Sequence, residues 1–242
     1  MYEPAEGNKL LQQINDTAHN SYATQGLGIG AADEALGELE KYTDFRLCAG
    51  MAAVEIGCGE MKLVRKIAIE RKARIDAYDL VVDSERLGAL LAEAREVGVR
   101  NMISVMPTDV CHDRFISDHD IYDAAFCTET IEHLSNPYFM VSNVKRGLKH
   151  GGYFVLSYPM PEDNLGYGGG KHAHVYPGFL LREPFEHFMR QMYFKQVHRH
   201  ANGSSAWYVF KNYKGPGVTD VFSMTSANYD DERMFDCLRD FV

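Results

Sequence analysis

A short glycine-rich segment that follows the first apolar run of the chain has the composition of a ligand-binding loop. It consists of Glu55, Ile56, Gly57, Cys58 and Gly59. Small residues let a backbone approach a ligand closely, and the helix expected after the loop points its N-terminal amides at the same place. The dinucleotide-binding pattern G-x-G-x-x-G does not fit, because Lys62 stands where its third glycine would be. The loop nevertheless predicts a cofactor site.

Acidic residues follow two further apolar runs. Asp79 closes the second run, about 20 residues after the glycines, where a carboxylate can accept hydrogen bonds from both hydroxyls of a ribose. Asp109 follows the third run. Ligands of parallel α/β sheets bind beyond the carboxyl ends of the strands, so both acids are expected near the glycine loop.

Apolar runs and amphipathic segments alternate from Met51 onward, which is typical of strand–helix repeats. The predicted strands cover 51–56, 74–80, 102–106, 122–127, 153–158, 194–200 and 206–211. Asn202-Gly203, between the last two, indicates a hairpin turn. The sequence therefore predicts an α/β fold: a mostly parallel seven-stranded sheet with helices on both faces and an antiparallel hairpin at one edge.

Helix signals lie between these strands. Ser84 is the predicted N-cap of one helix, and Gly98 is its predicted stop. Asn136 and Pro137 mark the start of another helix as its cap and first residue, and Gly151-Gly152 marks its end. Further helices are expected over 177–192 and, as a short pair, within 1–45.

These features together resemble the class I S-adenosylmethionine-dependent methyltransferases, in particular those that act on oxygen or nitrogen of small molecules. The acidic-x-Gly-x-Gly core of the first loop is similar to that family's first motif. The segments 122–134, 136–137 and 148–153 resemble its fourth strand, the helix that follows, and its Lys-x-Gly-Gly turn. Met61 occupies the place of a third family glycine, where its side chain is expected to crowd the helix or to shape the methionine end of the cofactor pocket.

The resemblance implies S-adenosylmethionine as the cofactor, S-adenosylhomocysteine as the product, and a Rossmann-like fold. It places Asp109 at the position that contacts the adenine amino group in the family. The residues of this chain that the resemblance assigns to cofactor binding are Glu55, Gly57, Cys58, Gly59, Asp79, Leu80, Asp109, Val110, Thr128 and Glu129.

Histidines at the same end of the predicted sheet are candidates for a catalytic base. In-line methyl transfer to a hydroxyl or a protonated amine requires removal of a proton, which histidine can do near pH 7. His133 follows the fourth strand, and His172 and His174 lie in a glycine-rich loop after the fifth. Structural roles stay open for all three, as a loop cap for His133 and as solvated residues for the others. His198 and His200 alternate on one face of a late strand and are interpreted as structural.

A metal-dependent alternative depends on part of the same set. Glu129, Glu132 and His133, with His174, resemble the metal-binding residues of RNA 2′-O-methyltransferases of the Hen1 type. Two carboxylates and two imidazoles could hold a divalent ion that lowers the pKa of an acceptor hydroxyl. The same string also occurs in small-molecule methyltransferases, so it does not distinguish the two. The principal prediction therefore includes no metal.

The predicted function is transfer of a methyl group from S-adenosylmethionine to oxygen or nitrogen of a small-molecule acceptor. The alternatives are the metal-dependent RNA methyltransferase and a non-catalytic cofactor-binding protein. Nucleic acid is not expected as a partner of this 242-residue chain, although its net charge of −9 is a weak argument by itself because the acidic excess lies entirely in the terminal segments. Residues 1–45 hold 8 acids and 2 bases, residues 214–242 hold 6 acids and 3 bases, and residues 46–213 hold 20 of each. An N-terminal lid would therefore be anionic and would disfavour polyanionic acceptors.

Three regions are expected: an N-terminal helical lid over 1–45, the methyltransferase-like domain over 46–213, and a C-terminal extension over 214–242. No apolar run approaches the roughly 20 residues of a membrane span, and the first residues lack the pattern of a signal peptide. A cytoplasmic location is therefore expected, and a homodimer is one state that the sequence leaves open. The five cysteines are scattered and are expected to be reduced thiols.

Overall fold

The structure is a computed structural model that describes residues 31–111, 113–159, 181–202 and 205–214. Its strands are β1 (Ala52–Ile56), β2 (Arg74–Asp79), β3 (Ile103–Pro107), β4 (Tyr122–Thr128), β5 (Leu148–Pro159), β6 (Phe194–Asn202) and β7 (Ser205–Asn212). Its α-helices are α1 (Ala31–Tyr42), α2 (Lys62–Arg65), α3 (Ser84–Glu96), α4 (Pro137–Gly147) and α5 (Arg182–Gln191). A π-helical turn over Lys66–Glu70 continues α2, and short 3₁₀ turns cover Arg100–Met102 and Ile131–His133.

The seven strands form one sheet in the order β3-β2-β1-β4-β5-β7-β6. Strands β1 to β5 pair in parallel, whereas β7 pairs antiparallel with both β5 and β6. The predicted sheet and its edge hairpin are confirmed, although Gly203 of the predicted turn lies outside the described residues. The strand order reverses between β1 and β4, so the carboxyl ends of these two strands border the crevice in which α/β sheets bind ligands.

Both faces of the sheet are covered, as predicted. Side chains of successive strand residues point to opposite faces. Phe154 and Leu156 of β5 therefore enter a core that includes Met140 of α4 and Phe185 of α5. Val155, between them, enters the other core together with residues of α1, α2 and α3. The hydrophobic effect thus fixes which face each strand residue occupies and leaves only the strand ends available for ligands.

Two predicted helix boundaries are wrong. Ser84 is the first residue of α3 rather than its cap. The cap is Asp83, whose carboxylate accepts hydrogen bonds from the amides of Glu85 and Arg86, each at 3.0 Å. Helix α4 ends at Gly147 and not at Gly151-Gly152, because Leu148 is already extended and pairs with Tyr122 of β4.

Other local predictions hold. The Asn136 side chain caps α4 by accepting the amide of Phe139 at 3.2 Å, and Pro137 is the first helical residue. Of the two helices predicted within 1–45, the second is α1, while the first lies outside the described residues. Within the described ranges, no helix has the length and apolarity needed to cross a membrane.

A buried lysine connects α4 to the end of the sheet opposite the strands' carboxyl ends. Lys145 is 6% exposed, and its Nζ donates to Asn212 Oδ1 at 2.6 Å and to the Tyr213 carbonyl at 2.5 Å. The Asn212 amide donates in turn to the carbonyls of Leu148 and Lys149, each at 3.0 Å. Burial, and secondarily the nearby positive charge of Lys214, lowers the pKa of Lys145 to about 7. The network joins α4, β5 and β7 through polar groups that have little access to water.

Substituting Lys145→Met is expected to lower the free energy of unfolding by about 2–3 kcal/mol, because it leaves buried oxygens without a donor. Urea denaturation measures this change. The control is Lys149→Met, which removes a more exposed ion pair, that with Asp123, and should cost about 1 kcal/mol or less. Equal effects of the two substitutions would show that the buried network does not stabilise the sheet.

Candidate functional site

The glycine loop between β1 and α2 lies directly against the loop that follows β4. The Gly57 amide donates to the Tyr78 carbonyl at 2.8 Å, which extends the contact between β1 and β2. Gly57 has a φ of +75°, and a Cβ there would come 2.1 Å from Oγ1 of Thr130. Gly59 also has a positive φ, but a Cβ on it would meet nothing within 4 Å among the described residues. The first glycine is thus required by packing, and the second faces open space in which a ligand can approach the backbone.

Met61 occupies the position at which the methyltransferases that the sequence resembles have a third glycine. It adopts a left-handed conformation with a φ of 59°, and its amide donates to the Cys58 carbonyl at 2.6 Å. Its side chain is 2% exposed and belongs to the core that also contains Leu63 and Val64. The backbone conformation expected of a glycine is therefore present, and the methionine side chain points into the core rather than into the open side of the loop.

Asp79 joins the glycine loop to the end of β2. Its Oδ2 accepts the Gly59 amide at 2.8 Å, and its Oδ1 accepts the Val81 amide at 3.3 Å. The Asp79 carbonyl accepts the Thr108 amide at 2.7 Å, which connects the same residue to the end of β3. The side chain stays partly exposed, as does the neighbouring Leu80. Each carboxylate oxygen has more than one lone pair, so this fixed carboxylate can accept further hydrogen bonds from a ligand.

Glu55 and Cys58 are more deeply buried than Asp79. Glu55 is 4% exposed, and the Val64 amide at the start of α2 hydrogen-bonds its carboxyl group. Its Oε2 has no hydrogen-bond partner among the described residues. Burial raises the pKa of Glu55 well above its usual range, and the negative charge of Asp79 raises it further. Burial likewise raises the pKa of the Cys58 thiol. Both side chains therefore pack on the buried side of the glycine loop.

The segment after β3 places a second acid at the same end of the sheet. Asp109 is partly exposed, and its carboxylate accepts the Cys111 amide at 2.9 Å. The Asp109 carbonyl accepts the Asp113 amide at 2.8 Å. Val110 is 6% exposed and belongs to the core that also contains Tyr78 of β2. A loop held by its own backbone in this way presents the Asp109 carboxylate in a fixed position.

The loop after β4 turns sharply at Glu129, whose φ is 48°. Its amide donates to the Ser157 carbonyl at 3.0 Å, and its Oε1 accepts the Ser157 hydroxyl at 2.9 Å. Burial raises the pKa of Glu129. Its carboxyl group is thus held against β5, while Thr128 and Thr130 on either side are partly exposed.

Glu132 and His133 follow in the same loop. Glu132 is 0% exposed, and neither carboxyl oxygen has a hydrogen-bond partner among the described residues. Burial raises the pKa of Glu132 well above its usual range, and the charge of Glu129 adds to the rise. The His133 Nε2 lies 3.7 Å from Glu132 Oε1, and the imidazole is 25% exposed. His133 is the predicted base that the structure describes at this end of the sheet, whereas His172 and His174 lie outside the described residues.

Within the described ranges, two of the side chains proposed for the metal-dependent alternative, Glu132 and His133, lie close to each other. The one group of three residues there whose ligand atoms lie within 4.8 Å of one another consists of Glu38, His198 and His200. Glu129, Glu132 and His133 form no such group, and His174 is not among the described residues. The alternation of two histidines on one strand was visible in the sequence. Their proximity to Glu38 of α1 depends on tertiary packing, and no local pattern in the sequence indicates it.

A family model described as a methyltransferase domain matches residues 34–209. Three solved structures share the fold. A 1,6-didemethyltoxoflavin N1-methyltransferase from Burkholderia thailandensis is 15% identical, with a TM-score of 0.62, over 88% of this chain and 92% of its own. A geranyl diphosphate C-methyltransferase from Streptomyces coelicolor is 14% identical, with a TM-score of 0.54, over 74% and 80%. The cyclase SpnF is 15% identical, with a TM-score of 0.56, over 76% and 81%. No curated protein matches the chain by sequence.

Substituting Gly57→Ala is expected to destabilise the protein by at least about 2 kcal/mol, because the new methyl group collides with Thr130 at an already left-handed position. Gly59→Ala is the matched control, since it has a positive φ but space for the methyl group. Adding Thr130→Ala to Gly57→Ala removes the two nearest atoms and should restore about 1 kcal/mol. Thermal unfolding measures all four proteins. Equal destabilisation by the two glycine substitutions, with no effect of Thr130→Ala, would contradict this contact.

Proposed function

Because the chain belongs to the methyltransferase-domain family, we propose that it moves a methyl group from S-adenosylmethionine to oxygen or nitrogen of a small-molecule acceptor. The observation that carries the proposal is the bond from the Gly59 amide to the Asp79 carboxylate, 2.8 Å long. It fixes a charged acceptor of hydrogen bonds beside a backbone that faces open space. A ribose diol beside that backbone fits this combination of groups.

The proposed cofactor site uses the ends of four neighbouring strands. Asp79 would accept hydrogen bonds from the ribose hydroxyls, and Asp109 would face the adenine amino group, as the family resemblance implies. Gly57 and Gly59 would let the cofactor approach the loop, which Glu55 and Cys58 support from beneath. The remaining predicted contacts are Leu80, Val110, Thr128 and Glu129. Two structures with the same fold contain S-adenosylhomocysteine, which supports this cofactor class.

The chain's own part in the reaction is to position the acceptor and to remove its proton. Bound S-adenosylmethionine supplies a methyl group that is already activated by the sulfonium charge. The new bond to the acceptor would form in line as the sulfur–carbon bond breaks, and the bonding electrons would leave with S-adenosylhomocysteine. His133 would take the acceptor proton, and His172 and His174 remain alternative bases. The contact with buried Glu132 would keep the His133 imidazole oriented.

The names of two proteins with the same fold support a small-molecule acceptor. One methylates 1,6-didemethyltoxoflavin at N1, and the other methylates geranyl diphosphate at carbon. An anionic lid over 1–45 would favour acceptors that carry little negative charge. The three predicted regions, a cytoplasmic location and a homodimer likewise remain predictions.

A fold relative named as a cyclase makes a function without methyl transfer a second candidate. Cofactor binding alone would not distinguish it from a methyltransferase. The two candidates differ in whether S-adenosylhomocysteine accumulates together with a methylated product.

Substituting Asp79→Asn is expected to weaken S-adenosylmethionine binding by about 1–3 kcal/mol, or roughly 5- to 150-fold, because hydrogen bonds to a charged group are lost. Isothermal titration calorimetry with S-adenosylmethionine measures the change. Asp118→Asn, an exposed aspartate that precedes β4, is the matched control and should leave the affinity unchanged. Wild-type affinity in Asp79→Asn would contradict the assignment of the cofactor site.

Incubation with S-adenosylmethionine labelled in its methyl group, together with pools of hydroxylated and amine acceptors, is expected to give a labelled product and S-adenosylhomocysteine.

His133→Gln should lower kcat by roughly 10²- to 10⁴-fold and remove the acidic limb of the pH profile, because base catalysis is lost. His187→Gln, at an exposed position on α5, is the control. Bound cofactor with no labelled product would favour the non-methylating candidate, and wild-type kcat in His133→Gln would exclude His133 as the base.

A further inference from the structure

Three side chains of types that can bind a metal ion lie together where α1 packs beside β6. Glu38 comes from α1, while His198 and His200 come from β6, where alternate residues share one face. One ligand atom from each of the three lies within 4.8 Å of the other two. Strand β6 is three strands from β4, which corresponds to about 14 Å across the sheet. The group is therefore separate from the glycine loop and from His133.

All three side chains bury a polar atom that has no hydrogen-bond partner among the described residues. These atoms are Glu38 Oε2, His198 Nε2 and His200 Nδ1. The Glu38 residue is only 7% exposed, so its carboxyl group has little water available. Glu38 Oε2 and His200 Nδ1 are 3.1 Å apart and form an ion pair when the imidazole is protonated. Buried polar atoms are nearly always partnered, and among the described residues the Glu38–His200 pair is the one polar contact within this group, so the group is a candidate site for a bound ion.

The surrounding structure holds these side chains in place. The Tyr42 ring stacks on the His198 imidazole, with ring centroids 3.3 Å apart and planes inclined by 12°. Leu36 and Leu39 of α1 are buried in the core on this side of the sheet. On another face of α1, Glu40 pairs with Arg71 at 2.8 Å. Fixed ligands reduce the entropy that would be lost when an ion binds.

We propose that Glu38, His198 and His200 bind a divalent first-row transition-metal ion such as Zn²⁺. Two imidazoles and one carboxylate are a common ligand set for such ions and leave a further position for water. Tetrahedral Zn²⁺ with bonds of about 2.0–2.2 Å separates its ligand atoms by about 3.3 Å. The 3.1 Å between Glu38 and His200 already fits this spacing.

The ion would fix α1 relative to the proposed methyl-transfer site. Glu34, Glu38 and Tyr42 are spaced four residues apart and therefore share one face of α1. Glu38 and Tyr42 meet β6, while Glu34 is near enough to Glu129 for its charge to contribute to the raised pKa of Glu129. A metal bound in the middle of this face would anchor the helix that borders the loop after β4. The binding proposal itself does not depend on methyl transfer.

Metal-free wild-type protein, prepared with a chelator that is then removed, is expected to bind one Zn²⁺ by calorimetry. With Co²⁺ it should develop visible absorption bands of a site with nitrogen ligands. Glu38→Gln and His200→Asn should lose these bands and the rise in melting temperature that Zn²⁺ produces in the wild type. His187→Gln, at an exposed position on α5, should retain both. Circular dichroism of the metal-free variants checks that they are folded.

Anomalous diffraction at the zinc edge from wild-type crystals locates the ion even if a variant fails to fold. A peak between Glu38, His198 and His200 supports the proposal. Absence of stoichiometric Zn²⁺ binding by the wild type would overturn it. A peak elsewhere, or unchanged Co²⁺ bands in folded Glu38→Gln and His200→Asn, would also overturn it. None of these readouts uses methyl transfer, so failure of the proposed function would leave this test intact.

Discussion

The hydrogen bond from the Gly59 amide to the Asp79 carboxylate is the constraint on which the proposed site depends. It can form only because β1 and β2 are parallel neighbours whose carboxyl ends lie side by side. Parallel pairing in turn requires a crossover connection, which α2 and its π-helical extension provide. The left-handed Met61 lets the chain leave the loop and enter α2 while burying its own side chain. Sheet order, loop conformation and the orientation of one carboxylate are therefore linked.

The same end of the sheet concentrates acidic groups at an electrostatic cost. The carboxyl groups of Glu55 and Glu132 are both buried and have strongly raised pKa values, and neighbouring Asp79 and Glu129 respectively increase those shifts. Neighbouring acidic groups in a poorly hydrated region cannot all ionise without a large cost in free energy. A cationic ligand would offset part of this repulsion. The sulfonium charge of S-adenosylmethionine fits such a surrounding, which connects the electrostatics of the fold with the proposed cofactor.

Local sequence signals were sufficient for the sheet and for the position of the glycine loop between β1 and α2, but not for contacts between distant elements. Apolar periodicity predicted each strand of the described residues, although β5 begins at Leu148 rather than Tyr153, and the Asn136–Pro137 pair predicted the start of α4. Asp83 was missed as a cap because the adjacent Ser84 is an equally good capping type, and only the observed hydrogen bonds distinguish them. Glu38 is 160 positions before His198 in the sequence, so its contact with the β6 histidines arises from the packing of α1 alone.

The most direct test of the central claim is a crystal structure of the protein with S-adenosylhomocysteine. We expect the adenosine to lie over the glycine loop, with both ribose hydroxyls within about 3.2 Å of the Asp79 carboxylate oxygens. The bond from Gly59 to Asp79 should persist in that complex. An adenosine bound elsewhere, or a ribose whose hydroxyls do not contact Asp79, would contradict the proposed site.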